Sequence, residues 1–363
     1  MKYYTTKEID KRNCLYNIIY GERSNGKTTA LQLKGLENWV KSGYTNQMAI
    51  IRRWDEDFRG KRGQQMFSGT ISTPDFKKIL KGTEWTDIYY YSSRWYLCRW
   101  EDDKRIVQET PFAYGFSISA MEHEKSTSYV NVTLIMFDEF ISRNGYLTDE
   151  FVLFMNTLST IIRQRDNVKI YMLGNAVNKY CPYFKEMGID KHVRNQKIGT
   201  IDVYTYGDSG LSVAVEYASP TKGGKASDKY FAFDNERMNM ITKGGWEIDV
   251  YPHAPLKWQP KNVVYTYFIE FGGDLLQGDI IAKDGTMFTF IHKKTGDIKY
   301  PDKDLIFSTN NDPRPNHRRN LLKPMHNVEQ RIYNMFKSDK VFYQDNETGE
   351  IVRNYLLWCK GLN

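Results

Sequence analysis

The feature that most constrains this chain is the segment at residues 18–31, which reads IIYGERSNGKTTAL. An apolar run over residues 14–20 predicts a buried strand, and an apolar stripe predicts a helix from Lys27 to about residue 40. Between them stands GxxxxGKT, the Walker A pattern of a phosphate-binding loop. Such a loop turns backbone N–H groups toward phosphate oxygens, and the helix N-terminus adds partial positive charge. The segment therefore predicts a nucleotide site.

The motif gives each residue of this site a role. Lys27 would reach the β- and γ-phosphates, and Thr28 would bind Mg²⁺. We therefore predict ATP and Mg²⁺ as cofactors. The predicted nucleotide-binding residues in the motif are Gly21, Gly26, Lys27, Thr28 and Thr29.

A second apolar strand, at residues 133–139 (TLIMFDE), ends in two carboxylates, as a Walker B motif does. Asp138 would hold Mg²⁺ through water, and Glu139 would polarise the attacking water. An adjacent glutamate favours an ATPase with its own base, since a kinase would take its nucleophile from a second substrate. A third strand ends at Asn175, which either senses the γ-phosphate or is an ordinary turn residue.

The order of elements predicts an α/β fold, a P-loop ATPase domain with a mainly parallel central sheet. Antiparallel hairpins are expected at residues 87–110 and a helix at about residues 148–165. We predict this domain at residues 1–205, a linker at 206–256 and a smaller α+β domain at 257–363. In the last domain a three-stranded meander precedes a helix near residues 327–336, with Val328, Ile332 and Phe336 on one face.

Composition excludes several classes of protein. Hydrophobic residues make up 40% and charged residues 26%, and no apolar run approaches the roughly 20 residues that cross a bilayer. The first residues, MKYYTTKEIDKRN, lack the apolar core of a secretion signal. Four cysteines lie far apart without a CxxC pair, which argues against a zinc site and favours reduced thiols. The net charge of +7 permits a polyanionic partner such as DNA.

Several segments, in this order, resemble the genome-packaging ATPases of short-tailed, phi-twenty-nine-like bacteriophages. They are GERSNGKTT, IIRRW, HEKSTSYVNVTLIMFDEF and IIRQRDNVKIYMLGNAVNKYCPYF, and the resemblance covers roughly residues 12–185. That family is related to large terminases and to FtsK/HerA translocases, within the ASCE class of P-loop ATPases.

The resemblance implies ATP-driven translocation of double-stranded DNA into a preformed capsid. It also implies a homo-oligomeric ring, expected to be a pentamer, that contacts the portal of the procapsid. A packaging RNA is a further candidate partner, and no membrane is expected. The implied location is the host cytoplasm, with transient residence at the portal vertex.

The resemblance also gives roles to basic residues. Arg163 falls where the family places an arginine finger that reaches the neighbouring subunit's nucleotide. Arg165 is the rival candidate, and a solvated arginine at a helix end is the plain alternative. Lys125 matches a second basic residue that acts between subunits. Arg23, inside the P-loop, would contact phosphate or a neighbouring subunit.

The best candidates for DNA contact follow the second strand, in RRWDEDFRGKRGQQ at residues 52–65. Basic residues that line a pore would grip phosphates without reading bases. The acidic residues 55–57 interrupt the run, so an exposed loop of mixed charge is the alternative. The basic candidates are Arg52, Arg53, Arg59, Lys61 and Arg62. The last domain has its own basic stretch, which a charged surface explains equally well; it contains Arg314, Arg318, Arg319 and Lys323.

Large terminases carry an RNase H-like nuclease after the ATPase, and the meander-then-helix pattern of the last domain fits that fold. A two-metal nuclease needs carboxylates that converge on both ions. The acids Glu270, Asp274, Asp304 and Asp345 are not convincingly arranged for this. We therefore expect a vestigial domain without nuclease activity. The alternatives are a terminase with an active nuclease and a P-loop enzyme that is not a motor.

Overall fold

The computed structural model describes residues 3–23, 25–123, 128–143, 145–176, 178, 180–219, 249, 251–254 and 256–362. The chain divides into two compact units, Met1–Trp246 and Glu247–Asn363. Within the described residues, no helix combines the length and the apolar character needed to cross a bilayer.

Ten described strands of the first unit form one sheet. Six of them, in the order β6-β2-β7-β8-β1-β10, are parallel to their neighbours. The strands are β1 (Tyr16–Gly21), β2 (Gln47–Arg52), β3 (Asp87–Tyr91), β4 (Arg94–Glu101), β5 (Lys104–Val107), β6 (Ala113–Ser117), β7 (Val132–Asp138), β8 (Lys169–Asn175), β9 (Ile201–Tyr206) and β10 (Leu211–Ala218). The predicted α/β fold with a mainly parallel sheet is confirmed.

Both faces of this sheet are buried, which explains why its strands read as continuous apolar runs. Successive residues alternate between two cores: Ile18 and Tyr20 pack on one face, and Ile19 packs on the other. The described helices of this unit are α1 (Lys7–Asp10), α2 (Lys27–Lys41), α3 (Gly60–Gln65), α4 (Ser68–Ile71), α5 (Pro74–Leu80), α6 (Glu150–Ile162), α7 (Pro182–Glu186) and α8 (Asp190–Asn195).

The two ends of the sheet are antiparallel. At one end β4 pairs with β3, β5 and β6, so the predicted hairpins at residues 87–110 are observed. At the other end β9 pairs with β10, and β10 lies parallel to β1. The predicted linker over 206–256 overlaps β10, because the apolar residues Val213, Ala214 and Val215 are buried in the sheet. Most of the remaining linker prediction lies outside the described residues.

The second unit contains a six-stranded sheet in the order β15-β14-β11-β12-β13-β16. Strands β11, β12 and β13 form the predicted antiparallel meander, and β14 lies parallel to β11. The elements are β11 (Val263–Phe271), β12 (Asp274–Lys283), β13 (Thr286–Lys293), β14 (Leu305–Ser308), β15 (His317–Arg318), β16 (Val341–Tyr343), α9 (Asn327–Lys337) and α10 (Asn346–Lys360).

The helices of the second unit correct the sequence prediction in two respects. On α9 the buried residues are Glu329, Ile332 and Met335, whereas Val328 is exposed. The predicted apolar stripe was wrong at Val328, because Glu329 and not Val328 lies on the buried face of α9. Helix α10 was not predicted, although residues such as Ile351 and Tyr355 are fully buried.

Candidate nucleotide site

The predicted nucleotide residues meet at the carboxyl edge of the parallel strands. Gly21 at the end of β1 lies opposite Asn175 at the end of β8. Asp138 at the end of β7 lies opposite Leu173 in β8. Strand β2, which ends at Arg52, is the other neighbour of β7. Parallel strands thus bring the loop, the carboxylates and the amide to one edge, where open α/β sheets bind ligands.

The two motif glycines adopt conformations that other residues avoid. Gly21 has φ 148°, and a Cβ there would lie 2.8 Å from the carbonyl oxygen of Ala218. Gly26 has φ 90° and is the N-cap of α2. Without side chains, both residues let the backbone turn tightly into the helix. The described part of the loop therefore has the local geometry that the motif requires.

Lys27, the first residue of α2, is buried, and its Nζ donates to the carbonyl oxygen of Glu22 at 2.6 Å. Burial lowers the pKa of Lys27 to about 8, and the charges of Asp138 and Glu22 oppose that shift. Asn25 accepts from the Lys27 N–H at 3.2 Å, while its own Nδ2 is buried without an acceptor among the described residues. A buried donor of this kind fits an anionic oxygen.

The residues predicted to bind Mg²⁺ are in contact. Thr28 Oγ1 donates to Asp138 Oδ1 at 3.1 Å, and the Asp138 carboxylate is almost fully buried. Burial raises the pKa of Asp138, an effect that the nearby Arg52 guanidinium opposes. A hydroxyl and a carboxylate are hard oxygen donors of the kind that Mg²⁺ prefers. The residues present therefore fit a magnesium ion.

Glu139 presents its carboxylate from a strained backbone. Its φ is 61°, in the left-handed region that non-glycine residues rarely adopt, and its side chain is 64% exposed. The adjacent Phe140 N–H donates to the carbonyl oxygen of Leu173 at 3.1 Å, which ties this turn to β8. Strained residues of this kind concentrate at functional sites.

Arg52 belongs to this site, contrary to its inclusion among the DNA-contact candidates. Its Nη2 lies 2.9 Å from Asp138 Oδ2 and its Nη1 lies 2.7 Å from Glu139 Oε2. The guanidinium is mostly buried, and burial would lower its pKa, but the two carboxylates raise it above the usual value. The prediction was wrong because β2 lies beside β7, which the local sequence does not reveal.

Arg53 was also wrongly placed among the DNA-contact candidates, because its guanidinium is buried in a different network. It forms a bidentate ion pair with Glu150, with Nε to Oε2 at 2.7 Å and Nη2 to Oε1 at 2.9 Å. The same guanidinium donates to the carbonyl oxygens of Glu139 at 3.3 Å and Phe140 at 2.8 Å. Arg52 is the last residue of β2 and Arg53 is the first residue after it, and their guanidinium groups enter different networks.

The two arginines after α6 differ in their surroundings. Arg163 is the exposed C-cap residue, with φ 53°, and its N–H donates to Ser159. The Arg165 guanidinium donates to four backbone carbonyls, those of Tyr129, Val132, Ile161 and Ile162. Arg165 therefore joins the end of α6 to the start of β7, a structural role that removes it as the rival finger.

Helix α6 begins at Glu150, which contacts Arg53, and just after its end Arg165 contacts the Val132 carbonyl, so Arg163 lies near the start of β7, at the opposite end from Asp138. The six residue steps from Val132 to Asp138, at about 3.3 Å each, span roughly 20 Å. That distance exceeds the reach of an arginine side chain. Arg163 is therefore too far away to touch a nucleotide in its own subunit.

The remaining predicted site residues are distributed as follows. Arg59, Lys61 and Arg62 are exposed on or beside α3, and Arg59 pairs with Asp55 at 2.6 Å. Arg23 is exposed in the P-loop and Thr29 is half-buried on α2. Lys125 lies outside the described residues.

The second unit has no group of three or more described His, Cys, Asp or Glu side chains arranged to hold a metal. Asp345 accepts from the Thr348 N–H and caps α10. A buried Asp279 that contacts His292 at 3.3 Å was not predicted. In the basic stretch, Arg314 pairs with Asp302 and Asp312, and Arg318 pairs with Glu329.

Comparison with known proteins shows that part of this chain is similar to phage DNA packaging proteins. Residues 102–203 match the family model of the Podovirus DNA encapsidation protein (Gp16). The DNA packaging protein of Bacillus phage phi29 is 25% identical over 185 residues, 50% of this chain and 49% of that protein. That of Bacillus phage B103 is 26% identical over 178 residues, 48% of each. The chain thus spans about half the length of the curated relatives it matches.

Two solved structures of packaging motors have a similar fold. The Phi-28 gp11 DNA packaging motor matches with a TM-score of 0.52 at 17% identity, over 99% of this chain and 98% of that chain. The bacteriophage Phi-29 viral genome packaging motor assembly matches with a TM-score of 0.52 at 16% identity, over 99% of both chains. The predicted resemblance to the packaging proteins of phi29-like phages is therefore confirmed.

Proposed function

We propose that this chain is the ATPase subunit of a ring motor that moves double-stranded DNA into a preformed capsid. The observation that carries the proposal is the convergence of Lys27, Thr28, Asp138 and Glu139 at one edge of the parallel sheet. The similar proteins of Bacillus phages phi29 and B103 are DNA packaging proteins, which supports the proposal. ATP and Mg²⁺ would be the cofactors.

Each residue of the site has one task in this reaction. The Lys27 ammonium and the backbone N–H groups of the loop bind the phosphates and hold the terminal phosphoryl group in line with a water molecule. Thr28 and Asp138 would hold Mg²⁺, which neutralises charge on the phosphate oxygens when bound. Glu139 orients and polarises the attacking water, and Asn175 lies at the same edge to sense the γ-phosphate.

Arg163 would complete the site of a neighbouring subunit. Since it lies roughly 20 Å along β7 from its own Asp138, it can neutralise transition-state charge only on another subunit's nucleotide. An arginine of this kind supplies about 10³ to 10⁵ in rate. Hydrolysis would then require a ring, which we propose to be a pentamer. Lys125 would be a second residue acting between subunits, and Arg23 would contact phosphate or a neighbour.

Arg59, Lys61 and Arg62 would grip the DNA backbone, because they are exposed in the segment that leaves the sheet after Arg53. The ring would contact the portal of the procapsid, with a packaging RNA as a further partner, and would work in the host cytoplasm. The second unit would be a vestigial RNase H-like domain. Its meander, with β14 parallel to the first meander strand, supports that assignment.

The test is the steady-state ATPase rate across protein concentration, with and without double-stranded DNA, for the wild type and Arg163→Ala. A motor predicts a rate that rises cooperatively with concentration, increases with DNA and falls at least about 10³-fold in the variant. A rate that is linear in protein and indifferent to both DNA and Arg163 would show a P-loop enzyme that is not a motor.

A further inference from the structure

The two consecutive arginines at the end of β2 approach Glu139 from different directions. Arg52 contacts its carboxylate, whereas Arg53 contacts its backbone carbonyl oxygen and that of Phe140. The peptide between Glu139 and Phe140 is thus held from both sides. Its carbonyl accepts from Arg53, and its N–H donates to the carbonyl oxygen of Leu173 in β8.

Glu150, the first residue of α6, sets the position of the Arg53 guanidinium. Its carboxylate is 1% exposed, and both oxygens accept from Arg53. Oε1 also accepts from the Tyr183 hydroxyl at 2.7 Å, and Oε2 accepts from the Leu147 N–H at 2.8 Å. Every oxygen of this buried carboxylate therefore has two donors, and the arrangement fixes one position for Arg53.

A buried ion pair is a poor way to gain stability, because desolvation of both charges offsets most of their attraction. Its use here calls for another reason, and the strained turn at Glu139 supplies one. A left-handed conformation at a residue other than glycine costs about 1 kcal/mol or more unless its surroundings hold it. Arg53 donates to the two carbonyls that follow this strained bond, so it opposes relaxation of the turn.

We propose that Arg53 and Glu150 are positioning residues for the catalytic glutamate. They hold the backbone turn that aims the Glu139 carboxylate, and they act on the turnover of ATP rather than on its binding. This inference rests on the proposed ATPase function. It goes beyond that function by assigning a role to two residues remote from the phosphates and to the Tyr183 hydroxyl behind them.

The test uses the full chain with Arg53→Lys and Glu150→Gln. A lysine keeps the charge but carries three N–H donors on one nitrogen, so it cannot reproduce the four hydrogen bonds of the planar Arg53 guanidinium. We expect kcat to fall by about 10- to 100-fold, the cost of a small misplacement of a catalytic group. The Kd for a fluorescent ATP analogue should change less than about threefold, since Lys27 and Thr28 are untouched.

A second readout does not depend on activity. Amide hydrogen exchange of residues 139–142, measured without nucleotide, should accelerate at least about tenfold in both variants, because the turn is less restrained. Matched controls are Arg318→Lys and Glu329→Gln, which disturb a comparable Arg–Glu pair in the second unit. The controls should leave kcat, the Kd and exchange at residues 139–142 unchanged.

The outcomes separate this inference from the proposed function. A wild-type chain without ATPase activity would contradict the proposed function, and the exchange experiment would still decide whether Arg53 holds the turn. Unchanged exchange, unchanged kcat in an active enzyme, or an equal loss of kcat and analogue binding would overturn the inference. If the two variants do not fold, Tyr183→Phe removes one hydrogen bond from Glu150 and should lower kcat about threefold with the same exchange signature.

Discussion

Arg52 joins the two carboxylates of the site: its Nη2 lies 2.9 Å from Asp138 Oδ2 and its Nη1 lies 2.7 Å from Glu139 Oε2. The ion pair with Arg52 engages the Glu139 carboxylate, which is the group proposed to act as the base. Arg52 also lies one residue before Arg53 in the chain. Arg53 is followed by the segment that exposes Arg59, Lys61 and Arg62. A displacement of that segment would therefore reach the ion pair of Arg53 with Glu150 first and the Arg52 ion pairs next.

We expect Arg52→Ala to uncouple hydrolysis from DNA. Without the guanidinium, Glu139 is no longer held in an ion pair with Arg52. DNA binding therefore can no longer raise the ATPase rate by breaking that ion pair. The ratio of DNA-stimulated to basal ATPase rate should fall toward one, and the pKa of Asp138 should rise further because Arg52 now lowers it. Parallel rate measurements on Lys41→Ala, an exposed residue of α2, provide the control. A variant that keeps the wild-type ratio would refute this role.

Glu139→Gln and Arg163→Ala should each be inactive as pure proteins but partly active when mixed. In a mixed ring, an intact Glu139 from one subunit can face an intact Arg163 from its neighbour. The mixture should recover ATPase activity at least about tenfold above either variant alone, given the 10³ or more that the finger supplies. If mixing never raises the rate, although subunit exchange is demonstrated by fluorescence energy transfer, Arg163 does not act between subunits.

Arg165→Ala should lower stability, unlike Arg163→Ala. Loss of the Arg165 guanidinium removes a donor from each of the carbonyls of Tyr129, Val132 and Ile161, although Tyr129 still accepts from the Val132 N–H. We expect a cost of about 1–3 kcal/mol for Arg165→Ala and a smaller cost for Arg163→Ala, because the Arg163 side chain is exposed. Urea unfolding of both variants beside the wild type measures the difference. Equal midpoints for the two variants would contradict the structural role of Arg165.

Replacement of Arg59, Lys61 and Arg62 by alanine should weaken DNA binding in a salt-dependent way. Each phosphate contact that is lost lowers the slope of log K against log salt by about 0.9, so the triple variant should lose roughly 2 to 3. Affinity should fall equally for unrelated sequences, because phosphates carry no sequence information. The matched control replaces the exposed Lys77, Lys78 and Lys81 at α5. If the slope changes equally in both triple variants, Arg59, Lys61 and Arg62 have no special role in DNA binding.

In the second unit, the pKa of His292 should lie above its usual value. Its Nε2 faces Asp279 and its Nδ1 faces the Lys293 carbonyl, so the protonated ring can donate to both, and the Asp279 contact outweighs burial and Lys294. The pKa of Asp279 is lowered by the same contact and by Thr266 and Gln277, although burial opposes it. Histidine NMR titration of the wild type and Asp279→Asn tests this; the variant's pKa should drop.

The same pair predicts how stability depends on pH. A raised folded pKa of His292 adds stability that is complete below about pH 6.5 and is lost as pH rises through the folded value. The lowered pKa of Asp279 adds stability above about pH 3.9 that is lost as pH falls through its folded value. His292→Gln should therefore cost about 1 kcal/mol near pH 5.5 and less at pH 8. A cost that grows with pH would contradict the pairing.

The motif-bearing parts of this site could be predicted from sequence because their signals are local. The glycines that permit positive φ, the helix that begins at Lys27 and the apolar strand before Asp138 and Glu139 all lie within short windows. The predicted helix at about residues 148–165 was observed as α6, and the predicted meander was observed in the second unit. Strand β10 was missed as part of the first sheet, because its pairing with β1 joins residues about 200 positions apart.

Sequence alone predicted which residues would bind phosphate and Mg²⁺, because the signals for the strand, the glycine loop and the helix N-terminus lie within one short window. Only the tertiary structure decided the roles of the arginines. Arg52 and Arg53 looked like one basic run. However, Arg52 ends β2 beside β7 and contacts the carboxylates, whereas Arg53, just after the strand, pairs with Glu150. The surroundings of Arg163 and Arg165 also depend on tertiary packing. Packing brings together the backbone carbonyls that bind Arg165, whereas Arg163 is exposed. Which strands become neighbours depends on burial of the whole sheet, and no short window of sequence contains that information.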